Sequence, residues 1–209
     1  MAEAIALIDY GAGNLHSVNN ALLAAGAERV AVTSDPAIVR GARRVVLPGV
    51  GSFKACSEGL NAIPDLVEAL EERVMVGGVP FLGVCVGMQL LASSGFEHGV
   101  TPGLGWIAGE VRAIERTDPA IKVPHMGWND VSPTPHGDGA SLIEPGEAYF
   151  LHSYHFRPED GRDIAAMTDH GGGLVAAVAR DNIIGVQFHP EKSQAYGLAL
   201  LARFLEWNP

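Results

Sequence analysis

Along the first half of the chain, short apolar runs alternate with stretches whose apolar residues return at helical spacing. Residues 4–8 (Ala-Ile-Ala-Leu-Ile) form an apolar run that stops at Asp9-Tyr10-Gly11 and predicts a first strand. In residues 15–25, Leu15, Val18, Leu22 and Leu23 fall on one side and Gly26 closes the segment, the pattern of an amphipathic helix. Residues 29–33 and 43–47 are rich in β-branched side chains and predict strands, the second ending at Pro48-Gly49. Residues 53–60 read as a helix start and 64–74 as a helix opened by its proline. Residues 79–84 then predict a strand, and 86–92 a helix beginning directly after Cys85. Strands separated by helices predict an α/β fold: an open, mixed, largely parallel sheet with helices on both faces.

The second half changes rhythm. Residues 107–114, 121–131, 147–152, 164–168, 174–179 and 183–188 are short strand candidates divided by Gly, Pro and Asp clusters, a spacing that favours antiparallel pairing. A closing amphipathic helix is predicted over 194–207, and 132–140 reads as a surface loop. No repeat or linker interrupts the pattern, so residues 1–209 are read as a single domain.

Composition narrows the function classes. Apolar residues make up 47% and charged residues 18%, the balance of a packed globular protein. A net charge of −10 without any Lys/Arg-rich stretch argues against nucleic acid or an anionic membrane as partner. The N-terminal run has no basic flank and is interrupted by Asp9, so it predicts a strand and not a signal peptide. Two cysteines in unlike contexts, Cys56 and Cys85, make a poor disulfide framework and point to a reducing cytoplasm. The eight histidines contain no His-x3-His pair, and His152 and His155, three apart on a strand, would face opposite ways; no metal site or cofactor is expected. Gly11-Ala12-Gly13-Asn14 begins like a dinucleotide fingerprint, but His16 stands where the third glycine belongs.

The strongest chemical signal is Gly83-Val84-Cys85-Val86-Gly87, between a predicted strand and a predicted helix. A nucleophile on so sharp a turn needs a glycine on either side, since the strand and helix leave no room for side chains there. The turn aims the thiol into a cleft, and the helix N-terminus behind it favours the thiolate. The plainer reading, a buried core cysteine, is the commoner fate of this residue type. A base is available in Gln187-Phe188-His189-Pro190-Glu191, where Pro190 biases His189 toward extended backbone and Glu191, two residues on, points the same way. The Val86 N–H and the turn Pro48-Gly49-Val50-Gly51 are candidate oxyanion donors. Cys56 is read as structural.

The glycine-flanked cysteine followed by Met88-Gln89-Leu90-Leu91, together with Gln187–Glu191, resembles the class I (triad) glutamine amidotransferases, whose fold is flavodoxin-like. Within that class, four runs resemble the glutaminase subunits of imidazole glycerol phosphate synthase in histidine biosynthesis. They are Asp9 to Leu15, Leu47 to Gly51, Val123-Pro124-His125-Met126-Gly127-Trp128-Asn129, and His189 to Ser193. The resemblance spans nearly the whole chain, and the run at 123–129 is its most discriminating part.

The resemblance implies that Cys85 attacks the side-chain amide of L-glutamine, with His189 as base and Glu191 orienting it, through a γ-glutamyl thioester. It implies that Gly49, Val50 and Val86 form the oxyanion hole, and that Gln89, Ser153, Tyr154 and Gly51 hold the amino-acid end of glutamine. Asn14, Trp128 and Lys192 would meet a separate (β/α)8-barrel cyclase subunit, giving a heterodimer in which ammonia passes directly between sites. Shielding is needed because ammonia in bulk water is mostly protonated and not nucleophilic. Three other readings remain: a stand-alone cysteine amide hydrolase, another class I amidotransferase subunit, and an idle docking module.

Overall fold

The computed structural model describes residues 5–116, 118–135 and 140–209. Its first half runs β1 (Ile5–Ile8), α1 (Leu15–Ala24), β2 (Val30–Thr33), α2 (Pro36–Arg40), β3 (Arg44–Gly49), α3 (Phe53–Asn61), α4 (Leu66–Leu70), a π-helical stretch at Glu71–Val76, β4 (Phe81–Cys85) and α5 (Val86–Gln89). The second half adds β5 (Ser94–Gly95), β6 (Thr101–Pro102), β7 (Gly109–Ala113), β8 (His125–Pro133), β9 (Gly146–His152), β10 (Tyr154–Pro158), β11 (Ile164–Asp169), β12 (Gly173–Arg180), β13 (Ile183–Val186) and α6 (Gln194–Glu206). Residue 4 of the expected first strand and residues 136–139 of the expected 132–140 loop lie outside the described residues.

Nine strands form the main sheet, in the order β2-β1-β3-β4-β13-β12-β11-β8-β9. The first five are parallel and the rest antiparallel, the mixed sheet that the strand spacing predicts. β1, β4 and β13 are buried along their whole length, which is why they read as unbroken apolar runs instead of alternating ones. β1 to β2 and β3 to β4 step in opposite directions, so right-handed crossovers put α1 on one face and α2 to α4 on the other. The packing agrees: α1 lies against α6, and α2 and α3 against α4.

Several expectations are corrected. A second sheet, β10-β7-β5-β6, stands beside the first. Its two-residue strands carry no periodic signal, and the chain passes from one sheet to the other at Ser153, between β9 and β10. His152 and His155 therefore lie on strands of different sheets, not on opposite faces of one strand. The helix after Cys85 ends at Gln89 and not at 92, because the carbonyls of Leu90, Leu91 and Ala92 are taken by the N–H groups of Leu104, Ile107 and Gly105. The helix expected from Pro64 begins at Leu66, after Asp65 at φ 60°, and its end widens into the π-helical stretch. The strand expected at 121–131 begins only at His125. α2 was missed although Asp35-Pro36 is a helix-start signal: Asp35 accepts from the Ala37 N–H at 2.8 Å and Pro36 opens the helix. Among the described residues, no helix is long and apolar enough to cross a membrane.

Candidate active site

Cys85 closes β4 and α5 starts at the next residue. Its backbone sits at φ 55° and ψ −112°, a region a non-glycine residue occupies at a cost of about 1–3 kcal/mol and keeps only where the surroundings enforce it. The enforcement comes from both flanking glycines. A Cβ at Gly83 would lie 2.7 Å from the Gly87 carbonyl oxygen, and one at Gly87 would lie 1.9 Å from the Leu47 carbonyl oxygen. The obstacles are backbone and cannot step aside. Gly87→Ala is therefore expected to lower the melting temperature by several degrees. Parental melting in that variant would show that the turn relaxes freely. With only four residues, α5 contributes one turn of aligned peptides, so the electrostatic role expected of its N-terminus rests on local N–H groups.

β13 runs parallel to β4 with Val186 beside Val84, and so delivers the following residues to the Cys85 end of the sheet. There His189 is anchored at both sides of its backbone. Its N–H donates to the Tyr149 carbonyl at 2.9 Å and its carbonyl accepts from Ser193 Oγ at 2.7 Å. Pro190–Lys192 form a 3₁₀ turn, not the extended chain expected, and this turn brings Glu191 Oε1 to 2.9 Å from His189 Nδ1. Both side chains are buried, at 3% and 2% exposure. Nδ1 is thus occupied, leaving Nε2 for the thiol. Burial alone would pull the His189 pKa down, yet hydrogen bonds and charge from Cys85 and Glu191 raise it to about 9.

That shift has a definite sign for stability. A histidine raised from 6.5 to about 9 stabilises the fold fully below about pH 6.5, and the contribution is lost as pH rises through about 9. The melting temperature should fall across that interval, and Glu191→Gln should flatten the fall. A Glu191→Gln chain with the parental slope would remove Glu191 as its cause.

A cavity of about 320 Å³ opens beside Cys85, and Val50, Gly51, Val86, Gln89, Ser153, Tyr154, His189 and Lys192 are all on its wall. Gln89 is buried and donates both amide hydrogens inward, to the Tyr154 carbonyl at 3.0 Å and to Gln187 Oε1 at 2.9 Å. Only its carbonyl oxygen is left for a ligand. Val86, the first residue of α5, has an N–H with no partner inside its own helix. Gly49 pairs in register with Cys85 and is pressed against the turn, since a Cβ there would meet the Gly87 nitrogen at 2.7 Å. Val50 is 42% exposed, and its carbonyl accepts from the buried Cys56 thiol at 3.4 Å. Cys56, read as merely structural, thus holds the neighbouring loop.

Trp128 is 47% exposed and not a core aromatic, and its ring meets Tyr149 edge-on. Lys192 Nζ stands 5.8 Å from the centre of the same Tyr149 ring. Asn14 caps α1, its side chain accepting from the Ser17 N–H, and α1 packs against the Pro190–Lys192 turn. Sequence reasoning missed Gln187, whose amide lies 3.7 Å from Cys85 Sγ, and Glu97, which reaches the cavity from a loop and accepts from the Phe53 N–H at 2.7 Å. Gln187 stood in the singled-out run but looked like strand; nothing in sequence marked Glu97. A larger depression of about 940 Å³, lined by Arg116, Lys122, Met126 and His170, shares only Pro124 with the first among the described residues, and none of those lining it is a cysteine.

Residues 6–207 match the family model described as glutamine amidotransferase class-I. The imidazole glycerol phosphate synthase subunit HisH of Zymomonas mobilis is 60% identical, over 100% of this chain and 98% of that one. Its namesake in Rhodospirillum rubrum is 54% identical, over 98% and 99%. Among solved structures, a glutamine amidotransferase superposes with TM-score 0.73 at 19% identity, over 96% of this chain and 97% of that one. PurLQS from Thermotoga maritima superposes with TM-score 0.70 at 16% identity, over 99% and 98%. The last two are alike in fold.

Proposed function

Since this chain belongs to the class-I glutamine amidotransferase family, we propose that Cys85, His189 and Glu191 are the triad with which it hydrolyses glutamine. The chain is a glutaminase subunit of imidazole glycerol phosphate synthase, acting in histidine biosynthesis. The observation that carries the triad is the strained Cys85 turn opening on the same cavity as the buried His189–Glu191 pair.

Cys85 attacks the side-chain amide carbon, and the oxygen gains charge opposite the Val86 N–H and the Gly49-Val50 turn. His189, held by Glu191 through Nδ1, takes the proton of the Cys85 thiol as the attack begins and gives a proton from Nε2 to the departing ammonia. It then takes one from the water that cleaves the γ-glutamyl thioester. The Gln89 carbonyl suits the substrate ammonium, and Ser153, Tyr154 and Gly51 complete the amino-acid end. Mass spectrometry of the complex quenched during turnover tests the intermediate. A glutamyl adduct on the Cys85 peptide is expected, and one mapped to another residue would remove Cys85 from this role.

The chain works with a cyclase partner, as the relatives' naming as subunits of one synthase indicates. That partner is a (β/α)8 barrel which docks over Asn14, Trp128 and Lys192 and receives the ammonia out of water. Two free, buried cysteines favour the cytoplasm as its place.

A further inference from the structure

The hydrogen bonds behind Cys85 lead from the Tyr154 carbonyl through Gln89 and Gln187 to the sulfur. Gln187 is fully buried and donates from Nε2 to Cys85 Sγ at 3.7 Å. Its orientation is set from behind: Oε1 accepts from Gln89 Nε2 at 2.9 Å, so the N–H side must face the sulfur. The other hydrogen of Gln89 Nε2 goes to the Tyr154 carbonyl, which also accepts from His152 Nδ1 at 2.8 Å. His152 therefore carries its proton on Nδ1 and accepts at Nε2, where His125 Nδ1 donates across 3.0 Å. His125 Nε2 in turn accepts from Asn129 Nδ2 at 3.0 Å. Asn129 cannot turn over, because it also donates to the Asp169 carbonyl at 2.8 Å and accepts from the Asp130 N–H at 2.9 Å.

Every donor and acceptor along this path has a single assignment, which requires both imidazoles to be neutral. Burial supplies that, lowering His125 to about 4 and His152 to about 3. Reversing Gln187, which is fully buried, would point its carbonyl oxygen at the sulfur and its N–H groups at Gln89, breaking hydrogen bonds at both ends.

We propose that Gln187 is a positioning residue for Cys85, presenting a fixed N–H to the sulfur, with Gln89, itself oriented by the Tyr154 carbonyl, keeping it from turning over. The proposal rests on the reading of Cys85 as nucleophile. It also gives Gln89 two duties, holding Gln187 with its amide hydrogens while its carbonyl faces the cavity.

The test combines alkylation of Cys85 by iodoacetamide in the full-length chain with glutamine kinetics of the complex. Gln187→Glu keeps the shape and replaces the donor with an oxygen. Alkylation and kcat are expected to fall together by about tenfold or more, with KM for glutamine within about threefold of the parent. Gln89→Glu replaces the donor behind Gln187 with an oxygen, so that Gln187 turns its carbonyl to the sulfur, and should slow alkylation by about threefold. Parental alkylation in Gln187→Glu, or a loss confined to KM, would overturn the proposal. If Gln187→Glu does not fold, parental alkylation in Gln89→Glu overturns it instead. Cys85→Ala separates the two ideas. Hydrolysis surviving in that variant removes the nucleophile reading itself, whereas hydrolysis lost there but unchanged in Gln187→Glu removes only the role of Gln187.

Discussion

Replacing Cys85 with alanine is expected to cut glutamine hydrolysis by the complex on the order of 10⁴- to 10⁶-fold, the scale on which loss of a nucleophile is felt where the triad acts as a unit. The change should cost little stability. Cys85 is small, and its strained φ of 55° is imposed by the close approach of Gly83 and Gly87 to backbone, which alanine leaves in place. The loss should therefore appear as chemistry with a parental melting temperature. Product formation from added ammonia should persist in the variant complex, because the second reaction belongs to the partner. Glutamine-dependent turnover within about tenfold of the parent would end the catalytic reading and leave an idle docking module in its place.

The second large effect concerns the partner. Glutamine hydrolysis by the isolated chain should be slow, and should rise about 10²- to 10³-fold when the cyclase partner is bound, the worth of one oxyanion donor. The reason lies in how the Gly49–Gly51 turn is held. Val50 is exposed at the cavity mouth, and its carbonyl is fastened by the Cys56 thiol on α3. Cys56→Ala releases that carbonyl without touching the triad, so the isolated variant should hydrolyse glutamine faster than the isolated parent. Equal turnover with and without the partner would instead favour a stand-alone hydrolase.

Much of this was legible in the sequence, for reasons particular residues make plain. The central strands announced themselves because burial on both faces demands apolar runs such as Ile5–Ile8 and Ile183–Val186. The turn at Cys85 was readable because two glycines flanking a cysteine between strand and helix have few other uses, whereas the His189–Glu191 pairing was expected from extended chain and is made by a 3₁₀ turn. What escaped notice was held together by distant partners. The four-stranded sheet depends on two-residue strands such as Ser94–Gly95, too short to show a period. Helix α5 stops early because residues 104–107 claim its carbonyls, a contact no local pattern encodes. Gln187 reads as one more strand residue until Gln89 is seen behind it.

The crossing at Ser153 has a consequence for how such an enzyme can change. Cys85 and the strand leading to His189 belong to the nine-stranded sheet, while Tyr154, on the cavity wall, begins a strand of the four-stranded one. The cavity thus has one wall, at Tyr154, on a support that does not carry Cys85 or His189. Redesign of that wall through strand β10 offers a route to amides other than glutamine that leaves the Cys85 turn untouched.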